Sequence, residues 1–324
     1  MILTKINSQL DKMMPLITPT SVILGICFAV YLKNLDSLIP WIFAFMTFAG
    51  SLKANFTSMK EAITHPLPLF IVLFVLHIFM PLWAFTVGHI TFPNDTYTIT
   101  GLILMMAIPT GISSLIWVSI YKGSIPLTLT IILVDTLLSP ILVPLTLKLL
   151  VGAKVEMDVI SMVSGLIMMI VIPSILAMIV NSITKEKVSN ILSARLAPFS
   201  KIGMATVVMI NSAVVSSYLT AFDLRLLALV VTVFFIAFTG YLVAFLIARK
   251  IVGKNREAVI AITFNGGMRN ISAGSVLAVA YFPPPVAVPV VIGMLFQQIL
   301  AALFGMIINK VEEKDRLNVR KEAV

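Results

Sequence analysis

The residues of this chain that could do chemistry stand in stretches otherwise fit for the interior of a membrane. The densest group is Phe264-Asn265-Gly266-Gly267-Met268-Arg269-Asn270, in the middle of an apolar run over about 258–281. Two adjacent glycines lower helix propensity and let the backbone bend or open. An arginine at that depth is costly and must face a polar cavity or a partner. A second group, Pro109-Thr110-Gly111-Ile112-Ser113-Ser114, interrupts another apolar run. Opening a helix at mid-membrane frees backbone N–H and C=O groups that hydrocarbon cannot satisfy, so each interruption must line a cavity or pack on protein. The freed N–H groups, at the positive end of a half-helix, attract an anion. The freed carbonyls at the other half-helix end attract a cation. Thr110, Gly111, Ser113, Ser114, Asn265, Arg269 and Asn270 are therefore the candidate substrate contacts.

Away from the ends of the apolar runs, the formal charges lying deep inside them are Asp135 and Arg269, each near the centre of its own run. His77 is central to a third. Scattered structural polar residues would not share a depth in this way. Asp135 and Arg269 are expected to neutralise each other, which makes both charges tolerable. A carboxylate paired so tightly is a poor proton carrier. His77 is then the better candidate, because an imidazole can titrate near neutral pH. The bland reading of His77, as of Gln297 and Gln298, is a hydrogen bond between helices. The methionines and phenylalanines read as packing or lipid-facing residues.

The elements that must hold these residues follow from composition. Of 324 residues, 59% are hydrophobic and 11% charged, and the mean hydropathy is +1.07. A soluble protein carries roughly 25% charged residues, so the chain reads as an integral membrane protein. The net charge of +9 is attributed to lysines and arginines that set orientation, not to a nucleic-acid surface. The single cysteine, Cys27, excludes an intramolecular disulfide. Residues 1–14 are polar and mildly amphipathic and do not read as a cleavable leader.

A helix of about 20 apolar residues spans a bilayer. Ten are expected, over 15–32, 37–52, 67–88, 97–121, 124–148, 157–182, 199–219, 224–248, 256–281 and 284–309, followed by a charged cytoplasmic tail over 310–324. With both termini cytoplasmic, Lys33, Lys148, Lys154 and Arg225 fall outside and Arg269 lies in the membrane. The other eighteen of the 23 lysines and arginines then lie inside. That asymmetry fits a multi-pass protein of the inner (plasma) membrane in this orientation. The two interruptions fall in the fourth and ninth spans, equivalent places in a five-plus-five plan. Five is odd, so the second copy enters inverted. Two inverted five-helix repeats, 1–152 and 153–309, with one broken helix each are the pattern of a secondary transporter's binding site. The alternative is two unrelated kinks.

At these residues the chain resembles the bile acid:sodium symporter family. The resemblance is carried by Pro109-Thr110-Gly111-Ile112-Ser113-Ser114, Tyr121-Lys122-Gly123, Asp135-Thr136-Leu137-Leu138-Ser139-Pro140, Gly267-Met268-Arg269-Asn270 and the proline after the ninth span. It covers essentially the whole chain. It implies an all-α fold with a panel domain from spans 1, 2, 6 and 7 and a core domain from spans 3–5 and 8–10. Helices four and nine would cross at their breaks, with substrate beside the crossing. Sodium-coupled members carry a glutamate at the position of Asn265, an amide at Leu115, a hydroxyl residue at Ile132 and glutamines at His77 and Arg269. Of the usual sodium ligands, Ser114 and Thr128 remain. A fixed guanidinium near a sodium site would repel the ion.

The expected function is alternating-access transport of a small organic anion, either a carboxylate or a bile-acid-like amphipath. Arg269 would supply permanently the positive charge that bound sodium supplies in relatives. Transport would be sodium-independent or proton-coupled, with His77, Asp135 and Thr128 as the ion-coupling candidates. No cofactor or metal is expected, sodium being disfavoured, and the partners are the anion and membrane lipid. The alternatives are a sodium-coupled symporter of the same family and a membrane sensor that binds without flux. An enzyme is not expected. Intramembrane aspartyl proteolysis needs two deep carboxylates, and His65, His77 and His89 form no zinc-protease motif.

Overall fold

The computed structural model describes residues 2–52, 66–152, 155, 157–184, 187–220, 223–253 and 255–322. Of the orientation-setting cations, Lys53, Lys60, Lys154, Lys185 and Lys254 lie outside the described residues. Among the described residues every regular element is helical. In chain order the main helices are α1 (Ile2–Cys27), α2 (Ile39–Ser51), α3 (Pro66–Thr91), α4 (Thr96–Ala107), α5 (Ser114–Ile120), α6 (Ile125–Leu150), α7 (Val159–Ile183), α8 (Lys187–Val214), α9 (Leu224–Val252), α10 (Arg256–Gly267), α11 (Ile271–Tyr281) and α12 (Ala287–Glu322). Six of them, α3, α6, α7, α8, α9 and α12, hold stretches long and apolar enough to cross a membrane. A bend of 87° separates Leu16–Cys27 from the helical stretch Ala29–Ser51.

Both expected interruptions are present. Helices α4 and α5 have 12 and 7 residues, and α10 and α11 have 12 and 11; each is too short to cross alone. The first break has a steric cause. Ile108 is extended (φ −65°, ψ 150°) because Pro109 disfavours the helical region for the residue before it. At the second, Met268 is extended (φ −87°, ψ 145°) straight after the glycine pair. Gly267 is also a point of close approach, since a Cβ there would stand 2.3 Å from the Tyr241 ring. Helix α11 restarts at Asn270, whose Oδ1 accepts the Ala273 N–H at 3.3 Å in the manner of an N-cap.

Helix α3 carries one widened turn, Val75–Phe79, in which Met80 N–H bonds to Val75 O five residues back. Pro81 has no N–H to offer the His77 carbonyl, which is why the ladder slips there. Such turns are frequent at functional sites, and this one holds His77.

Helix α1 lies along α8, and α2 packs on α7 and α8. Separately, α9 packs on α10, α12 and α3, and α4 packs on α3, α6 and α12. The half-helices before the breaks, α4 and α10, are sheathed by protein: Thr98 to Ala107 and Ala258 to Gly266 are buried without exception. Their open backbone is therefore kept away from lipid, as the cost of unpaired polar groups demands.

Candidate functional site

The two breaks touch. Asn270 N–H donates to the Pro109 carbonyl at 2.8 Å. A Cβ on Gly111 would stand 2.9 Å from the Arg269 carbonyl oxygen, so glycine is what lets the two backbones meet.

In an unbroken helix Met106 O would accept from Thr110 N–H, and Gly266 O from Asn270 N–H. Both donors go elsewhere, and Arg269 takes their place. Arg269 is 1% exposed. Nε donates to Met106 O at 3.2 Å, and Nη1 to Gly266 O at 2.8 Å and Met268 O at 3.3 Å. One cation thus caps the C-terminal ends of both α4 and α10, where carbonyls have no intrahelical partner and the helix dipole is negative.

The expected direct pairing of Arg269 with Asp135 is not formed. The fully buried Asp135 instead accepts the freed Thr110 N–H on Oδ2 at 2.6 Å, and its Oδ1 bonds to Nε2 of His77. The physical reason is division of labour at the breaks. The carboxylate meets a freed donor and the guanidinium meets freed acceptors. Three buried polar atoms here have no partner: His77 Nδ1, Thr110 Oγ1 and Arg269 Nη2.

A third network lies behind the crossing. Ser114 Oγ donates to Asn265 Oδ1 at 2.8 Å, while Asn265 Nδ2 donates to Thr128 Oγ1 at 3.2 Å and to Ala261 O at 2.8 Å. All three side chains are buried. Gln297 of α12 joins the two breaks: its Oε1 accepts Arg269 N–H at 3.3 Å and its Nε2 donates to Ser113 Oγ at 3.5 Å. Gln298 accepts from Trp117 Nε1 at 2.8 Å. The two glutamines do make interhelical bonds, and they make them at the crossing.

A cavity of about 360 Å³ opens between the breaks and helices α1, α2 and α8. Of the expected contacts, Gly111, Ser113, Arg269 and Asn270 form part of its wall, whereas Thr110, Ser114 and Asn265 are held in the networks behind it. His77, Thr128 and Asp135 also lie off the wall. Its charged lining residues are Arg269 and Lys201, with no acid among the described residues that line it. Lys201 was expected only as an orientation-setting charge. Its signal was its spacing: Ala197, Lys201, Met204 and Val208, all on the wall, share one helical face.

A family model described as the Sodium Bile acid symporter family matches residues 40–222. The chain belongs to this family. The match takes in the widened turn of α3, the first break and Asp135. The chain is also 56% identical over 304 residues to the "Uncharacterized protein YbaS" of Bacillus subtilis (strain 168), covering 94% of this chain and 99% of that one. It is 27% identical over 297 residues to the "Uncharacterized sodium-dependent transporter YocS" of the same strain, covering 89% and 90%. The chain is therefore a multi-helix membrane protein of a transporter family.

Proposed function

We propose that this member of the family carries a small organic anion across the membrane by alternating access and without sodium. The observation that carries the reading is the guanidinium of Arg269 on the carbonyls of Met106, Gly266 and Met268. A monatomic cation would be drawn to the same negative helix ends, and here it would compete with one that is covalently attached. The second oxygen cluster is occupied in the same sense. Thr128 Oγ1 and Ala261 O each receive an amide N–H from Asn265, and a donor cannot ligate a cation. The positive N-terminus of α11 stays open to the cavity through Asn270, Ile271 and Ser272, which suits an anion.

The architecture proposed with this function is ten spans in two inverted repeats, 1–152 and 153–309. Helices α1, α2, α7 and α8 form the panel and the others the core, with both termini cytoplasmic in the plasma membrane. The part of the cavity wall that holds Asn7 and Lys201 then lies toward the cytoplasm. Should protons drive the cycle, His77 is the carrier.

The second reading is sodium-coupled symport, favoured by the family and by the printed name of YocS. Uptake of radiolabelled carboxylates into proteoliposomes separates the two. Wild type and Arg269→Gln are compared under a sodium gradient, a pH gradient and neither. The expected result is sodium-independent uptake by wild type that Arg269→Gln loses or makes ion-dependent. Strict sodium dependence of the wild type would sink the proposal.

A further inference from the structure

We infer that Asn211 of α8 is a releasable latch: its hydrogen bond to Ser275 of α11 holds shut the end of the cavity at which these two helices meet, and it breaks when that end opens. The inference rests on the proposed division into panel and core and adds the contact that gates one side of the same cavity.

Register is the first ground. On α8 the cavity wall runs as far as Val208, and on α11 as far as Ser272. Asn211 is the next residue on the Val208 face and Ser275 the next on the Ser272 face, each three positions on. Asn211 Nδ2 donates to Ser275 Oγ at 2.5 Å, so the wall ends on both helices at this one bond. Beyond it the two helices are closed against protein: Ile210 to Ala213 and Ala273 to Ala278 are buried without exception. Attachment is the second ground. A Cβ on Gly25 of α1 would stand 2.3 Å from Met209 O and 2.9 Å from the Ser212 Cβ, so α8 is seated on α1 at the level of Asn211 and moves with it. The bond therefore joins two bodies rather than two turns of one. Further along α11, a Cβ on Gly165 of α7 would stand 1.9 Å from the Tyr281 hydroxyl oxygen, a second close meeting of the same two bodies. The third ground is an unmet need. Asn211 is fully buried and its Oδ1 has no partner, whereas Ser275 Oγ also donates to Ser272 O at 2.9 Å. The closed contact thus satisfies Ser275 and leaves half of the Asn211 amide unpaired, which costs free energy that water would return once the helices part. A latch of this kind holds without locking.

The test is the rate at which a water-soluble maleimide labels a reporter cysteine in the purified full-length protein. The single native cysteine, Cys27, is removed as Cys27→Ser. The reporter is Ala278→Cys, fully buried and one turn beyond Ser275 on the same face of α11. Two further substitutions at the latch are expected to shift the rate in opposite directions. Ser275→Ala leaves both ends of the Asn211 amide unpaired in the closed state, so labelling should rise about tenfold, the worth of one buried hydrogen bond. Asn211→Leu removes the unpaired oxygen and orphans nothing, because Ser275 keeps Ser272 O, so labelling should fall below that of the reporter alone. Any other pattern overturns the inference, and a rise in both variants would mean a packing contact and no latch. If Ser275→Ala does not fold, Asn211→Leu decides alone, and a rate at or above that of the reporter alone overturns the inference. The parent reading is tested apart, by flux. Opposite shifts in labelling without uptake by wild-type proteoliposomes would remove the transport reading and leave the latch, whereas sodium-free uptake with labelling unmoved would do the reverse.

Discussion

The first and second breaks interrupt their helices at matching places and are held by opposite charges. At the first, a carboxylate, Asp135, takes the freed Thr110 N–H. At the second, Arg269 turns back onto the carbonyls of its own half-helix and reaches across to that of the first. A broken helix always offers donors on one side and acceptors on the other. What the chain fixes permanently is no longer available to a solute, and what it leaves open defines the solute. Here the carbonyl ends are filled by a built-in cation, while the N-terminus of α11 faces the cavity. The proposal of an anion carried without a monatomic cation rests on this difference between the breaks.

The sharpest way to break this comparison is Arg269→Met. The methionine fills similar space and leaves three buried carbonyls without a donor, each costing about 1–3 kcal/mol. Removing the buried charge recovers part of that through its lost desolvation cost. The net expectation is a loss of about 2–4 kcal/mol, read as a large fall in melting temperature of the detergent-purified protein. Added sodium restoring that stability would show that the carbonyl cluster accepts a cation once the guanidinium is gone. Asp135→Asn should cost less, about 1–3 kcal/mol. The amide oxygen can still accept from Thr110, and the loss falls on the contact with His77. A pH-dependent uptake that becomes flat in Asp135→Asn would tie the pair to proton coupling.

Gly111→Ala tests the meeting of the breaks without touching a charge. Its new Cβ would stand 2.9 Å from the Arg269 carbonyl oxygen, a main-chain atom with little freedom to move. A cost of about 1–3 kcal/mol is expected, with sodium-free uptake falling alongside. An unchanged melting temperature would mean that the crossing is looser than the contact between Asn270 and Pro109 implies.

Much of this was legible in the sequence, and the remainder was hidden for identifiable reasons. Pro109 and the Gly266-Gly267 pair announce their breaks because both act through local backbone sterics. Arg269, Asp135 and His77 stand out because polar groups are rare at that depth. Their partners did not stand out. Opposite charges suggested a direct pair, but the guanidinium binds main-chain carbonyls, which every residue carries and no sequence displays. The widened turn around His77 has a sequence cause in Pro81, but a proline near a helix start is equally a sign of ordinary helix. Lys201 was masked by its neighbours in the chain: a lysine near a membrane edge is read as topogenic until the Ala197, Met204 and Val208 face is seen to line a cavity.

The smallest expected effect sharpens the comparison by repeating one chemical change away from the crossing. Asp95 caps α4, accepting Thr98 N–H at 3.1 Å, and pairs with Arg225 at the start of α9. Burial alone pushes its carboxyl up, but hydrogen bonds from Thr98 and Arg225, with the charge of Arg225, outweigh it and the net shift is down from 3.8. A depressed native value means that the contribution is present above the unfolded value and is lost as pH falls through the native one. Arg225 is 66% exposed, so the pair is screened and worth about 0.5 kcal/mol or less. Asparagine still caps a helix, so Asp95→Asn should lower the melting temperature slightly at pH 7, and the gap to wild type should close below about pH 4. Asp95→Asn and Asp135→Asn are the same acid-to-amide change at two ends of one question. If the two cost the same at neutral pH, burial at the crossing adds nothing to Asp135, and the opposition between the two breaks loses its anionic half.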